Sequence, residues 1–380
     1  MTVRIEDTAR NNLVSWAVAA VQVGSAEGAV ISPFTTPRSS TSYKRSGRDT
    51  VDRIRGEGAQ SWFDPTTHAL QMPNVGDFRY YDEWELWDGA RGALSTHGDQ
   101  QDHVQRVFAV QDALGVPRLA PTLLLHSPQS TTSQRALDLA EAAVSASSDC
   151  FLSVAGDASF WAAGQALDAH VGAIAQLEPA GWFVTVVRNV AVLPVPVTAE
   201  EVHGLCRTVR SLSEDGPVHV SHGDLAALPA VVAGATTIGT GWDPRQRVCA
   251  YASYAQRVSG GDGGQWFVQS TVRGLLSLLG RAEAQLLAAQ DPSLSTRLMP
   301  GQVPPGPAEA FQHHAQALAD VIRQLQPGGE AAYQTLALLY QNARADWPAV
   351  ATAVSGASRA DAWTSELLAG LRRFAATEGW

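Results

Sequence analysis

Lysine is almost absent from this sequence: Lys44 stands alone among 27 basic side chains, and the others are arginine. Schiff-base chemistry therefore has a single residue to run on. Lys44 follows the first predicted strand instead of lying on a central one, which disfavours the lyase hinted at by "ISPFTTP". Cysteine is also scarce, with Cys150, Cys206 and Cys249 making an odd number and no CxxC or Cys/His spacing. Reduced thiols, no structural zinc and no metal site are expected. No apolar run approaches the roughly 20 residues of a membrane helix. The opening "MTVRIEDTARNN" carries charge where a secretory signal would be apolar, so a cytoplasmic location without membrane contact is expected. Charge is thin as well, at 17% of residues against 45% hydrophobic, which suits a large buried core. The formal net charge of −10 disfavours a broad nucleic-acid surface. Contact with nucleic acid would need a local arginine patch, and a small molecule or nucleoside is the favoured partner. Nothing in the pattern sets an oligomeric state.

What is present is alternation. β-rich apolar runs at Gly28 to Phe34, Ala59 to Pro65, Leu119 to Ser127, Cys150 to Asp157, Gly181 to Asn189, Pro217 to Asp224 and Ala235 to Trp242 read as strands. Helical stretches lie between them, at Arg48 to Glu57, Asp102 to Leu114, Thr132 to Ser147, Ser159 to Leu177, Ala199 to Ser213 and Leu225 to Gly234. Thr198, three residues ahead of Glu201, reads as a capping-box start. Strand followed by helix, repeated, means parallel strands with crossovers. No GxGxxG loop follows the first strand, so a (β/α)₈ TIM-like barrel is predicted over a doubly wound sheet, with no nucleotide cofactor expected. The eighth strand is sought in "FRYYDEWELWDG", near Trp84 to Trp87. The predicted organisation is an N-terminal helical segment at 1–27, the barrel at 28–260, and a helical C-terminal region at 261–380 packed on it.

In such a barrel chemistry sits at the C-terminal ends of the strands. There the sequence places Asp64 and His68, Asp88, His126, Asp157, Arg188, His222 and Asp224, and the run from Gly239 through Gly241 and Trp242 to Asp243. Asp64, Asp157 and Asp224 also stand where helix caps are needed. Asp243 followed by Pro244 is itself a sufficient helix start, since proline is favoured at the first helical position.

The run "VTAEEVHGLCRTVRSLSEDGPVHVSHGDLAALPAVVAGATTIGTGWDPRQR", from Val197 to Arg247, resembles the tRNA-guanine transglycosylase superfamily, whose last units end in "Phe-Asp-Cys-x-x-Pro-Thr-Arg". Upstream, "GAVISPFTTP", "WFDPTTHALQMP" and "ELWDGARG" are similar to that family's opening strand, its His-Leu segment and its second aspartate segment. The resemblance implies a barrel enzyme acting on a nucleobase or nucleoside, with Asp243 as nucleophile and Asp88 as acid/base. It implies substrate contacts from Asp64, His68, His126, Asp157, Arg188, His222, Gly239, Gly241 and Trp242. The family's zinc-binding cysteines are missing, and its base-reading residues are replaced by His126, Ala155, Arg188 and Asn189.

The same residues allow other readings. "SHGD" followed by "GTGW" has the glycines of a phosphate cradle, which would suit a small phosphorylated metabolite. Eleven tryptophans could serve a non-catalytic ligand-binding barrel. A metal hydrolase is disfavoured by phase: His219 and His222 fall on opposite sides of a regular strand, and adjacent His313 and His314 cannot both face one metal.

Overall fold

The computed structural model describes residues 3–6, 11–76, 78–255, 269–354 and 360–380. Eight parallel strands make the path of the sheet: β1 (Val3–Glu6), β2 (Gly28–Ile31), β3 (Gln60–Phe63), β4 (Leu124–Leu125), β5 (Phe151–Asp157), β6 (Gly181–Arg188), β7 (Val218–Ser221) and β8 (Thr237–Thr240), with a ninth, Cys249–Ala250, pairing β6 off that path. Their order is β3-β2-β1-β8-β7-β6-β5-β4, so the sheet curls in sequence order with β1 between β2 and β8. This is a TIM-like barrel.

The crossover helices are α1 (Asn11–Gln22), α2 (Gly47–Gly56), α3 (His97–Leu114), α4 (Thr131–Ala146), α5 (Ala158–Trp161), α6 (Gln165–Ala175), α7 (Ala199–Leu212) and α8 (Leu228–Val232). Their starts are written in the sequence. Ser46, Ser130, Asp157 and Thr198 each accept a backbone N–H of the first turn, and Thr96 and Asp99 form a full capping box. At α7 only half of the expected box forms: Thr198 Oγ1 accepts the Glu201 amide, while the Glu201 carboxylate turns instead to Arg188.

Three sequence expectations are corrected here. The eighth strand is β1, inside the segment expected to be helical; only α1 of that segment is a helix. Its "VRIE" places Val3 and Ile5 against the apolar core and sends Arg4 and Glu6 to the other face. Residues Trp84 to Trp87 form no strand. A 3₁₀ turn at Tyr81–Trp84 drops Trp84 into the core, where Nε1 donates to Thr36 O at 2.9 Å, and Trp87 stacks on His103 at 3.8 Å. Finally, an antiparallel hairpin, Gln269–Val272 with Ser277–Gly280, precedes the C-terminal helices inside the region expected to be helical. Those helices are α11 (Arg281–Gln290), α12 (Pro292–Leu298), α13 (Pro307–Leu325), α14 (Glu330–Ala353) and α15 (Ala360–Glu378), numbered after the short α9 (Pro244–Arg247) and α10 (Tyr251–Tyr254). The expected boundary at 260 lies outside the described residues.

The interior between β1, β3, β6 and β7 mixes aromatic and polar groups. Trp62 packs on Phe151 and Phe183, each at 4.7 Å between ring centres, and the Arg4 guanidinium lies 4.7 Å over Trp62. Arg4 Nη2 donates to His219 Nε2 at 3.2 Å, and His219 Nδ1 in turn faces Thr237 Oγ1 at 2.8 Å. Burial and the Arg4 charge push His219 down to about 2, and burial brings Arg4 down to about 10. His219 is therefore a neutral core residue.

Between β3 and β4 no ladder pairs the backbones among the described residues. A side chain replaces it. The Gln111 amide, fully buried on α3, donates to Phe63 O at 2.9 Å and Leu119 O at 2.8 Å and accepts from Leu119 N at 3.1 Å. One glutamine thus joins the two sheet edges, meeting the requirement that buried backbone groups be paired.

Candidate active site at the barrel mouth

Glu6, at the C-terminal end of β1, is the residue that sequence reasoning missed. Its carboxylate is 2% exposed; Oε1 accepts Ser221 Oγ–H at 2.8 Å and the His222 amide at 3.2 Å, and Oε2 lies 3.8 Å from His222 Nε2. His222 holds a left-handed backbone, φ 51°, which is uncommon for a residue with a side chain and recurs at functional sites. Its Nδ1 faces Gln246 O at 3.1 Å. Gly239 is there for Glu6: a Cβ at 239 would stand 1.9 Å from Glu6 Oε1. The signal in the sequence was two charged residues at alternate positions in "VRIE", a strand period whose polar face turns inward.

The segment 244–255 crosses the mouth. Cys249–Ala250 pairs in parallel with Val187 and Arg188 at the end of β6, Gly76 N donates to Tyr254 O at 3.2 Å, and Val75 bridges Ala255. Beneath it His68 is buried, with Nε2 3.7 Å from Cys249 Sγ, whose other neighbour is Tyr254 Oη at 3.9 Å. Burial, aided by the charge of nearby His222, pushes His68 down to about 3, so it is neutral.

His126, after β4, and Asp157, ending β5, form the accessible pair. His126 Nδ1 lies 2.5 Å from Asp157 Oδ2; His126 is 56% exposed and Asp157 19%. Asp157 Oδ1 accepts Ser159 N, Ser159 Oγ–H and Phe160 N, so the predicted cap exists and the second oxygen remains for the imidazole. Burial would raise this carboxyl, but the hydrogen bonds from His126, Ser159 and Phe160 hold it below its ordinary value. An ionised carboxylate only accepts, so Nδ1 carries the proton and Nε2 is left as a base. Tyr251 stands close enough for the Asp157 charge, after burial, to raise its hydroxyl above the ordinary value.

The other expected site residues scatter. Asp243 caps α9: Oδ1 accepts Arg245 N at 2.7 Å, Oδ2 pairs with Arg245 Nη2 at 2.9 Å, and Gln246 completes a capping box. It is 5% exposed. Asp88 lies 71% exposed on the surface, paired with Arg106 at 3.3 Å, and so shares no partner with Asp243. Trp242 makes an edge contact with Trp16 of α1 at 5.8 Å. A Cβ at Gly241 would strike Gln246 Cβ at 2.4 Å, so that glycine serves the α9 closure. Asp64 Oδ1 accepts Thr66 N at 2.7 Å, and Arg188 is taken up by Glu201. Asp224, also left-handed at φ 45°, caps nothing; with Arg247 and His314 it forms a buried charged cluster tying the mouth to α13. Lys44 Nζ donates to Thr35 O in the loop after β2.

No family model matches this chain, and no curated protein matches it. Among solved structures, a psychrophilic glycoside hydrolase family 10 endo-beta-1,4-xylanase is similar with a TM-score of 0.33 and 8% identity, over 63% of this chain and 85% of that one. Among the described residues no three His, Cys, Asp or Glu side chains gather as metal ligands, and no helix is long and apolar enough to cross a membrane.

Proposed function

We propose that this chain is a small-molecule enzyme working at the C-terminal mouth of its barrel, with the His126–Asp157 pair as its proton-transfer group. The observation that carries this reading is the 2.5 Å hydrogen bond that fixes an exposed imidazole against a helix-capping carboxylate at two adjacent strand ends. The likeness of Val197 to Arg247 to the transglycosylases supports a nucleoside as substrate. In hydrolysis of the N-glycosidic bond, Nε2 of His126 takes a proton from water, the water oxygen bonds to the anomeric carbon, and the carbon–nitrogen bond breaks. The departing base, leaving from the opposite face, takes its proton from solvent, and the imidazolium then returns its proton to solvent. Asp157 keeps Nδ1 protonated and stabilises the cation that forms. Asp243 is the poorer candidate for direct attack, because Arg245 engages both of its oxygens.

The test is release of free base from a panel of nucleosides, followed by chromatography. His126→Asn is expected to lower kcat by about 10²–10⁴-fold, the usual contribution of a positioned proton-transfer group. Asp243→Asn should retain activity. Full activity in the His126 variant, or no release from any nucleoside by the unaltered protein, overturns the proposal. Activity lost in Asp243→Asn but kept in His126→Asn would return the chemistry to a nucleophilic aspartate.

A further inference from the structure

A concavity of about 230 Å³ opens beside the β3–β4 seam, lined by Thr67, Leu70, Gln71, residues 92–95, Leu123 and Arg135. Its polar chemistry is one-sided. The Gln71 carbonyl oxygen is used by the Leu124 amide at 2.5 Å, which fixes the flip of the side chain and leaves its NH₂ group as a donor. Arg135, on the second turn of α4, has no ion pair and no hydrogen bond among the described residues. Arg91, Arg106 and Arg118, by contrast, are each matched to an aspartate. No carboxylate lines the space. The adjacent acid, Asp99, is spent on the start of α3, where it accepts Thr96 N at 3.0 Å and Ser95 Oγ–H at 3.3 Å.

We infer that this concavity binds a small oxyanion, a phosphate or a phosphate ester, between the Arg135 guanidinium and the Gln71 amide. A planar guanidinium and an amide NH₂ both donate and neither accepts, so together they complement an acceptor-rich anion. The volume lies below the roughly 300 Å³ of the smallest drug-sized pockets, which fits a phosphate with a short carbon skeleton and excludes a dinucleotide. On a protein of net charge −10, anions are repelled in general, so occupancy here has to come from these local donors. The inference stands apart from the proton-transfer pair: it requires neither His126 nor Asp157.

The probe is inorganic phosphate, titrated calorimetrically and by ³¹P line broadening into the full chain at ionic strength held constant with chloride. Saturable binding is expected. Arg135→Gln should weaken it roughly tenfold or more, the equivalent of about 1.4 kcal/mol for one charge-assisted contact. Gln71→Glu keeps the acceptor for Leu124 N but replaces the donor with a negative charge, and should abolish binding. Both variants should melt as the parent does in chloride, since both side chains are exposed. His126→Asn should leave phosphate binding unchanged, so this inference and the proposed function fail separately. Absence of saturable binding, or equal binding by the parent and Arg135→Gln, overturns it.

Discussion

Glu6 occupies the space that any side chain at Gly239 would need, with 1.9 Å between Glu6 Oε1 and the position of a Cβ at 239. The two residues come from the first and last strands of the barrel, and the close approach is what lets Ser221 and the His222 amide reach the same carboxylate oxygen. Gly239→Ala is expected to destabilise the protein by about 1–3 kcal/mol, the range for overpacking a filled interior. Adding Glu6→Ala should recover part of that loss, because the two substitutions compete for one volume. Urea unfolding of both single variants and the double variant checks this; strict additivity would show that Glu6 is not what crowds position 239.

Gln111 makes three hydrogen bonds across the seam between β3 and the strand that leads to β4. Gln111→Leu, similar in size, strands two buried carbonyls and one amide, at about 1–3 kcal/mol for each group left unpaired. A loss of about 2–5 kcal/mol is the expected sum after relaxation. Hydrogen exchange should quicken at Leu119 and neighbouring amides before it does elsewhere. Uniform exchange with an unchanged midpoint would contradict the bridging role.

Acid should unfold this protein early. Burial holds His68 at about 3, His103 and His170 at about 4, and His219 at about 2, whereas in the unfolded chain each titrates near 6.5. The unfolded state therefore binds more protons below neutrality. The stability these residues contribute is complete above about pH 6.5 and is lost as pH falls toward the folded values, by about 1.4 kcal/mol per pH unit for each group. Melting temperature measured from pH 8 to 4 should fall with the slope of several protons. His103→Gln should remove about one of them.

Asp243 offers a clean separation of roles. Asn at 243 is as good a helix cap as Asp and should stay within about 1 kcal/mol of the parent, whereas Ala should cost about 1–2 kcal/mol by loss of the cap and of the Arg245 contact. Thermal melts of the two variants check it. Equal losses in both would mean that the charge, not the cap, matters at this position.

Seven of the eight strands were legible because their outward residues are apolar and the turn residues around them are conspicuous. β1 was not, because the barrel interior beside it holds a guanidinium over Trp62 and a carboxylate bonded to Ser221. A strand whose inward face is ionic reads as surface. The opposite error struck Phe78 to Gly89, where aromatic density suggested a strand. Those rings enter the core singly, with Trp84 bonded to Thr36 and Trp87 to Tyr81, which needs turns more than ladders. At the mouth, the cap reading of Asp157 and Asp243 followed from local spacing and is matched by the amides they accept. The His126–Asp157 hydrogen bond joins two strand ends, and no local pattern announces it.

The Gln246 side chain donates to Glu6 O across 240 positions of chain, and β1 has β8 as its second neighbour. During synthesis at about 5–20 residues per second, β1 leaves the ribosome roughly 10–50 seconds before β8 can reach it. Through that interval β1 has only β2 to pair with, and Arg4 and Glu6 are without the His219 and Ser221 that hydrogen-bond to them in the barrel, so the first strand of the barrel is completed among the last.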